Sequence, residues 1–117
     1  MNVFISYTIR DTEISIDNLQ KVKCKLHKFD SVYIDLIDIY RSQDKVESEL
    51  KNSNLVILIE TENVYNSKWV LKEIDIASRC SIPILKIKMS DLLSMPEKYL
   101  FKILVNRIAH RTTASTL

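Results

Sequence analysis

Leu55-Val56-Ile57-Leu58-Ile59 is an unbroken run of five apolar residues, three of them β-branched. A strand with one wet face alternates apolar and polar side chains, and this run has no wet face at all. It reads as the central strand of a parallel sheet covered by helices on both sides. Immediately upstream, Gln43 to Lys51 carries Val46 and Leu50 at helical spacing, a short helix with those two residues facing inward. Downstream, Ser67 can cap a further helix. Its inward residues are Val70, Ile74 and Ala77, with Trp69, Glu73, Ile76 and Cys80 on the adjoining stripe.

The same alternation extends to both ends. Val3-Phe4-Ile5-Ser6-Tyr7 is a first strand, ending at Tyr7. Asp11 or Thr12 can cap the next helix, whose stripe is Ile16, Leu19, Val22 or Lys23, Leu26 and Phe29. Val32 to Ile37 is a second strand, and Pro83-Ile84-Leu85-Lys86-Ile87 a fourth, its proline tolerable only at the strand start. Glu97 to Ala109 is a last helix with Leu100, Ile103, Leu104 and Ile108 as its core face; a fifth strand near Arg107 to Arg111 is left open. Strands alternating with helices imply βαβ units. The expected fold is therefore α/β and flavodoxin-like, three layers around a four- to five-stranded, mainly parallel sheet of order 2-1-3-4(-5). Residues 1–110 form one domain and 111–117 a polar tail. In this topology a ligand crevice lies outside the carboxyl ends of strands 1 and 3. Thr8, Ile9, Arg10 and Asp11 follow strand 1, and the loop after Glu60 leads to Trp69 and Glu73.

Bulk properties exclude several functions. The 117 residues suffice for one core, and 46% hydrophobic with 27% charged residues is ordinary for a globular protein. A formal net charge of +2 gives no argument for nucleic acid or an anionic membrane. No apolar run approaches the roughly 20 residues of a membrane span, and the start lacks the pattern of a signal peptide. Cys24 and Cys80 fit neither a redox nor a zinc motif, so the expected setting is the reducing cytoplasm, with no metal site. The chain contains no glycine, which excludes a P-loop and a dinucleotide-binding glycine fingerprint, because both bring backbone close to phosphate. Lys21, Lys23, Lys25 and Lys28 read as the wet face of the first helix.

Trp69 and Glu73, four apart on a helix, share a face. Taken alone, such a pair is more often a packed aromatic and a solvated acid. Its place near the crevice suggests an aromatic plane and a carboxylate presented together to a flat or ribose-bearing ligand.

The motifs together resemble the TIR (Toll/interleukin-1 receptor) domain family. Val3-Phe4-Ile5-Ser6-Tyr7 is similar to its first box, Val32-Tyr33-Ile34-Asp35 to its second strand, Ser67-Lys68-Trp69-Val70-Leu71-Lys72-Glu73 to its third-helix motif, and Pro83-Ile84-Leu85 to its fourth strand. The resemblance spans roughly residues 2 to 88. It implies the bacterial NAD-consuming branch, with Glu73 as the catalytic carboxylate acting on the nicotinamide ribose and Trp69 packed beside it. Tyr7, Thr8, Ile9 and Arg10 would line the nucleotide groove and Asp35 would sit at its edge. NAD+ would be the substrate, and no further cofactor is implied. The resemblance also implies self-association to complete the site and a Thoeris-like anti-phage setting, with the expectation of either a separate effector activated by the product or a partner that holds the sensor. The alternative is a non-catalytic module acting by homotypic docking. Against it, the segment Leu36 to Ser42 lacks the Pro-Gly pair of receptor-type TIR loops. A departure of another kind is Glu60, where strand 3 usually ends in serine; a carboxylate there would repel phosphates unless Arg10 or Lys68 offsets it.

Overall fold

A computed structural model describes residues 1–34 and 43–110. Strands β1 (Asn2–Ser6), β2 (Ser31–Tyr33), β3 (Leu55–Ile59) and β4 (Ile84–Ile87) form one parallel sheet in the order β2-β1-β3-β4. Helices α1 (Ile16–Lys25), α2 (Gln43–Lys51), α3 (Lys68–Arg79), α4 (Met89–Ser94) and α5 (Glu97–Ala109) cover its faces. The flavodoxin-like three-layer order expected from the alternation is the order observed. Val3 faces Leu55 and Ser6 faces Leu58 across the β1–β3 ladder, while Val56 to Ile59 pair with Ile84 to Ile87.

Every residue of β3 is buried, as its composition requires. Leu55, Ile57 and Ile59 point with Val3 and Ile5 into a core shared with Leu19, Val22 and Leu26 of the α1 region, Leu92 of α4, and Leu100 and Leu104 of α5. Val56 and Leu58 point the other way with Phe4, against Val46, Leu50, Val70, Ile76 and Ala77. Phe4 stacks on Tyr33 with ring centroids 5.1 Å apart. This period-two division assigns α2 and α3 to one face and α1, α4 and α5 to the other.

Several boundaries differ from the sequence reading. β1 ends at Ser6, one residue before Tyr7. Helix α1 is capped by Ser15, whose side chain accepts from the Asn18 backbone N–H, because Asp11 is engaged elsewhere. Ile16 is 55% exposed and does not belong to the apolar stripe. Leu26 and Phe29 are buried but lie beyond the helix end at Lys25. The described part of the second strand is Ser31–Tyr33, and the positions from Asp35 to Ser42 lie outside the described residues. Ile76 is buried rather than peripheral. Arg107 to Ala109 belong to α5, so no fifth strand begins there. Helix α4 was not anticipated; its last carbonyls, on Leu92 and Leu93, accept from Lys25 Nζ at 2.6 and 3.1 Å, and Met95 O accepts from the same ammonium.

The lack of glycine leaves a trace at the end of α3. Ile82 N–H donates to Ala77 O and Ser81 N–H to Ser78 O, a Schellman closure in which Ser81 takes the left-handed position at φ 56°. A side chain there crowds the following carbonyl, at a cost of roughly 1–2 kcal/mol. Ser81→Gly is expected to raise stability by about 0.5–1 kcal/mol, the remainder being offset by the greater freedom of glycine in the unfolded chain. Chemical denaturation reads this directly. A loss of stability would mean that the Ser81 side chain has a stabilising role of its own.

Candidate functional site

Ser67 starts α3 with its hydroxyl accepting from the Val70 N–H at 3.3 Å, as its position before the helical run suggested. That cap and the buried Val70 fix the rotation of the helix. One turn further on, Glu73 faces the end of the sheet. There the Ser6 hydroxyl donates to Glu73 Oε1 at 2.9 Å, joining β1 to α3 across 67 positions of sequence. Ser6 is only 1% exposed and lies on the same face of β1 as Phe4. Glu73 is half-buried. A carboxylate held at a strand terminus beside a helix can stabilise positive charge developing on a ligand in front of it.

The other sequence-derived positions separate around this pair. Trp69 is 55% exposed on the first turn of α3, one helical turn before Glu73. Tyr7 is half-buried and packs against the α1-side core, on the opposite face from Ser6. Thr8 is buried, and its Oγ1 accepts from the Arg10 backbone N–H at 3.4 Å. Ile9 is 76% exposed and Arg10 is also exposed. Asp35 lies outside the described residues. Ser6 was missed as a site residue. It shares the α3-facing register of β1 with Asn2 and Phe4, and a polar residue at the carboxyl end of that face was the available signal.

A groove of about 900 Å³ opens over the carboxyl ends of β1, β3 and β4. Asp11, Glu13, Glu60 and Glu62 line it, with Lys88 as the lysine among its lining residues. It does not include Ser6, Trp69 or Glu73. Such a lining repels a pyrophosphate, so the groove and the Ser6–Glu73 pair are chemically different places. The loops forming it are tied together: Asp11 accepts from the Asn63 backbone N–H at 3.1 Å and from its side-chain amide at 2.8 Å. Thr61 Oγ1 is buried beside this pair without a hydrogen bond of good geometry among the described residues.

The nearby Thr61 hydroxyl and then the Asn63 amide hold Asp11 below its ordinary carboxylate value of 3.8. A depressed folded-state value means that the loop tie is at full strength above about pH 4, the unfolded range, and weakens as the pH falls through the lower folded value. Carbon-detected titration is therefore expected to place the Asp11 midpoint below 3.8. An Asn63→Ala variant should move it part of the way back toward the ordinary value; the same midpoint in both proteins would show that the Asn63 side-chain amide does not hold Asp11 in solution. Among the described residues there is no cluster of His, Cys, Asp and Glu suited to a metal ion, and no helix long and apolar enough to cross a membrane.

A family model described as "Thoeris protein ThsB, TIR-like domain" matches residues 4–94, well over half of the chain. The chain belongs to the ThsB TIR-like domain family. The matched segment runs from Phe4 in β1 to Ser94 at the end of α4, and so contains both Ser6 and Glu73. Membership places this TIR-like domain in bacterial anti-phage defence, within a wider TIR family that includes NAD-consuming enzymes. No curated protein matches the chain significantly.

Proposed function

We propose that this ThsB-type TIR domain cleaves the nicotinamide–ribose bond of NAD+, with Glu73 as the catalytic carboxylate. The observation that supports the reading is the Glu73 carboxylate held at the β1 terminus by Ser6. When the bond between C1′ and the pyridinium nitrogen breaks, its electron pair leaves with nicotinamide, which departs neutral without needing a general acid. The ribose left behind has oxocarbenium character, and an adjacent carboxylate stabilises that charge as it does in glycoside hydrolysis. Attack by water at C1′, with loss of one proton, gives ADP-ribose; attack by a nucleophile of the same dinucleotide gives a cyclic isomer. Exposed Trp69 supplies an aromatic plane one turn from the carboxylate, and Arg10 a cation for the pyrophosphate. Tyr7, Thr8 and Ile9 belong to the loop that would frame the dinucleotide, and Asp35 would close its edge. In this reading the domain is cytoplasmic, self-associates to complete the site, and signals through its product to a separate effector.

One observation favours a docking module instead. Trp69 and Leu71 leave apolar surface exposed on α3, and Ile9 on the neighbouring loop. The two readings separate in one experiment: nicotinamide release from NAD+ by concentrated wild-type protein beside Glu73→Gln, with products resolved by chromatography. Release that disappears in the variant supports the enzyme. Equal release from both proteins overturns the role of Glu73, and none from concentrated wild type favours docking.

A further inference from the structure

We propose that Ser6 is the positioning residue for Glu73, setting the orientation of its carboxylate toward the ribosyl centre whose developing charge it stabilises. The inference rests on the functional reading above and deepens it. A glutamate carries three rotatable side-chain bonds, and a half-buried one midway along α3 has several directions available to it. Reaction at C1′ needs the carboxylate fixed to within a fraction of an ångström. Ser6 supplies the fixed point. It is 1% exposed at the end of a strand whose preceding residues Val3, Phe4 and Ile5 are all buried. It is also paired in register with Leu58 on the fully buried central strand.

A serine at this position costs burial energy compared with an apolar residue unless its hydroxyl has a partner. The partner is a carboxylate oxygen at 2.9 Å, on a helix of the covering layer. The bond therefore links a buried strand of the central sheet to the reacting group.

The test combines kinetics with unfolding. Ser6→Ala is expected to lower kcat for nicotinamide release by about 10²-fold, with KM changed by less than about twofold, because the hydroxyl acts through Glu73 and not on the dinucleotide. Ser6→Thr, which retains the hydroxyl, is expected to restore most of the rate. Full kcat in Ser6→Ala overturns the proposal. So does an equal loss in Ser6→Thr that leaves its thermal midpoint unchanged, since keeping the hydroxyl would then have no benefit.

A second measurement does not depend on turnover. The Ser6→Ala change in unfolding midpoint is compared in the wild-type and Glu73→Ala backgrounds. A smaller effect in the second background shows that the two side chains are coupled, and equal effects overturn the proposal. If wild type releases no nicotinamide, the functional reading fails while this cycle still decides whether Ser6 holds Glu73.

Discussion

Glu73→Gln is expected to reduce nicotinamide release from NAD+ by about 10³-fold or more while leaving the fold unchanged. The substitution keeps the length and shape of the side chain. The Ser6 hydroxyl can still donate to an amide oxygen in the place of Glu73 Oε1. What disappears is the negative charge opposite the developing oxocarbenium, and removing one preorganised electrostatic contact alone costs about 10²–10³ in rate. Loss of a full charge belongs at or beyond the upper end of that range. Because Glu73 is only half-buried, the unfolding free energy should change by no more than about 0.5 kcal/mol. Glu73→Asp makes the complementary case: it keeps the charge but withdraws it by one methylene, and its rate should fall between wild type and Glu73→Gln. If Glu73→Gln turns over normally, the catalytic carboxylate is elsewhere. If it loses activity together with its thermal transition, the glutamate is structural.

Most of the framework was legible because its signals are local. The apolar run of β3, the Ser67 cap and the periodicity of α5 each lie within a dozen residues, and each gave the observed element. The start of α1 was misplaced because Asp11, Thr12 and Ser15 are all good capping types. The choice among them is made by Asn63, 52 positions away, which occupies Asp11 and leaves the cap to Ser15. Helix α4 has six residues, too few to show a period, and the ammonium at its end comes from Lys25.

The site divides the same way. That Trp69 and Glu73 lie a turn apart follows from their spacing. That Ser6 meets Glu73 follows only from the register of β1 on β3 and the packing of α3 over both. The groove walled by Asp11, Glu60, Glu62 and Lys88 unites three loops separated in sequence, and no single stretch announces it. TIR membership was visible because its motifs are strand ends and a helix start, the positions this fold uses to build a site.

Leu58→Ala is expected to cost about 2–5 kcal/mol, a large share of the roughly 5–15 kcal/mol available to a domain of this size. Leu58 has no exposed surface and packs with Val64 and Val70, with Ile74 and Ile84 at the edge of the cluster. Truncating it leaves a cavity beneath the first turns of α3. The short 3₁₀ turn at Val64–Asn66 enters that helix and draws on the same cluster, so little remains nearby to collapse into the space. The thermal midpoint should fall by about 6–25 °C, since each kcal/mol is worth roughly 3–5 °C here. Leu71→Ala, on the same helix but 49% exposed, should stay within about 0.5 kcal/mol of wild type. Similar side chains removed from the two sides of one helix wall separate the packing that anchors α3 from the surface it presents. Comparable losses in both variants would refute the β3–α3 packing described above. The functional consequence follows from the same geometry. Leu58 is the register partner of Ser6 and packs beneath α3, so an unfilled cavity there loosens the seat of the helix and with it the bond from the Ser6 hydroxyl to Glu73. Well below its lowered midpoint, Leu58→Ala should therefore lose kcat as Ser6→Ala does, although it touches neither the hydroxyl nor the carboxylate.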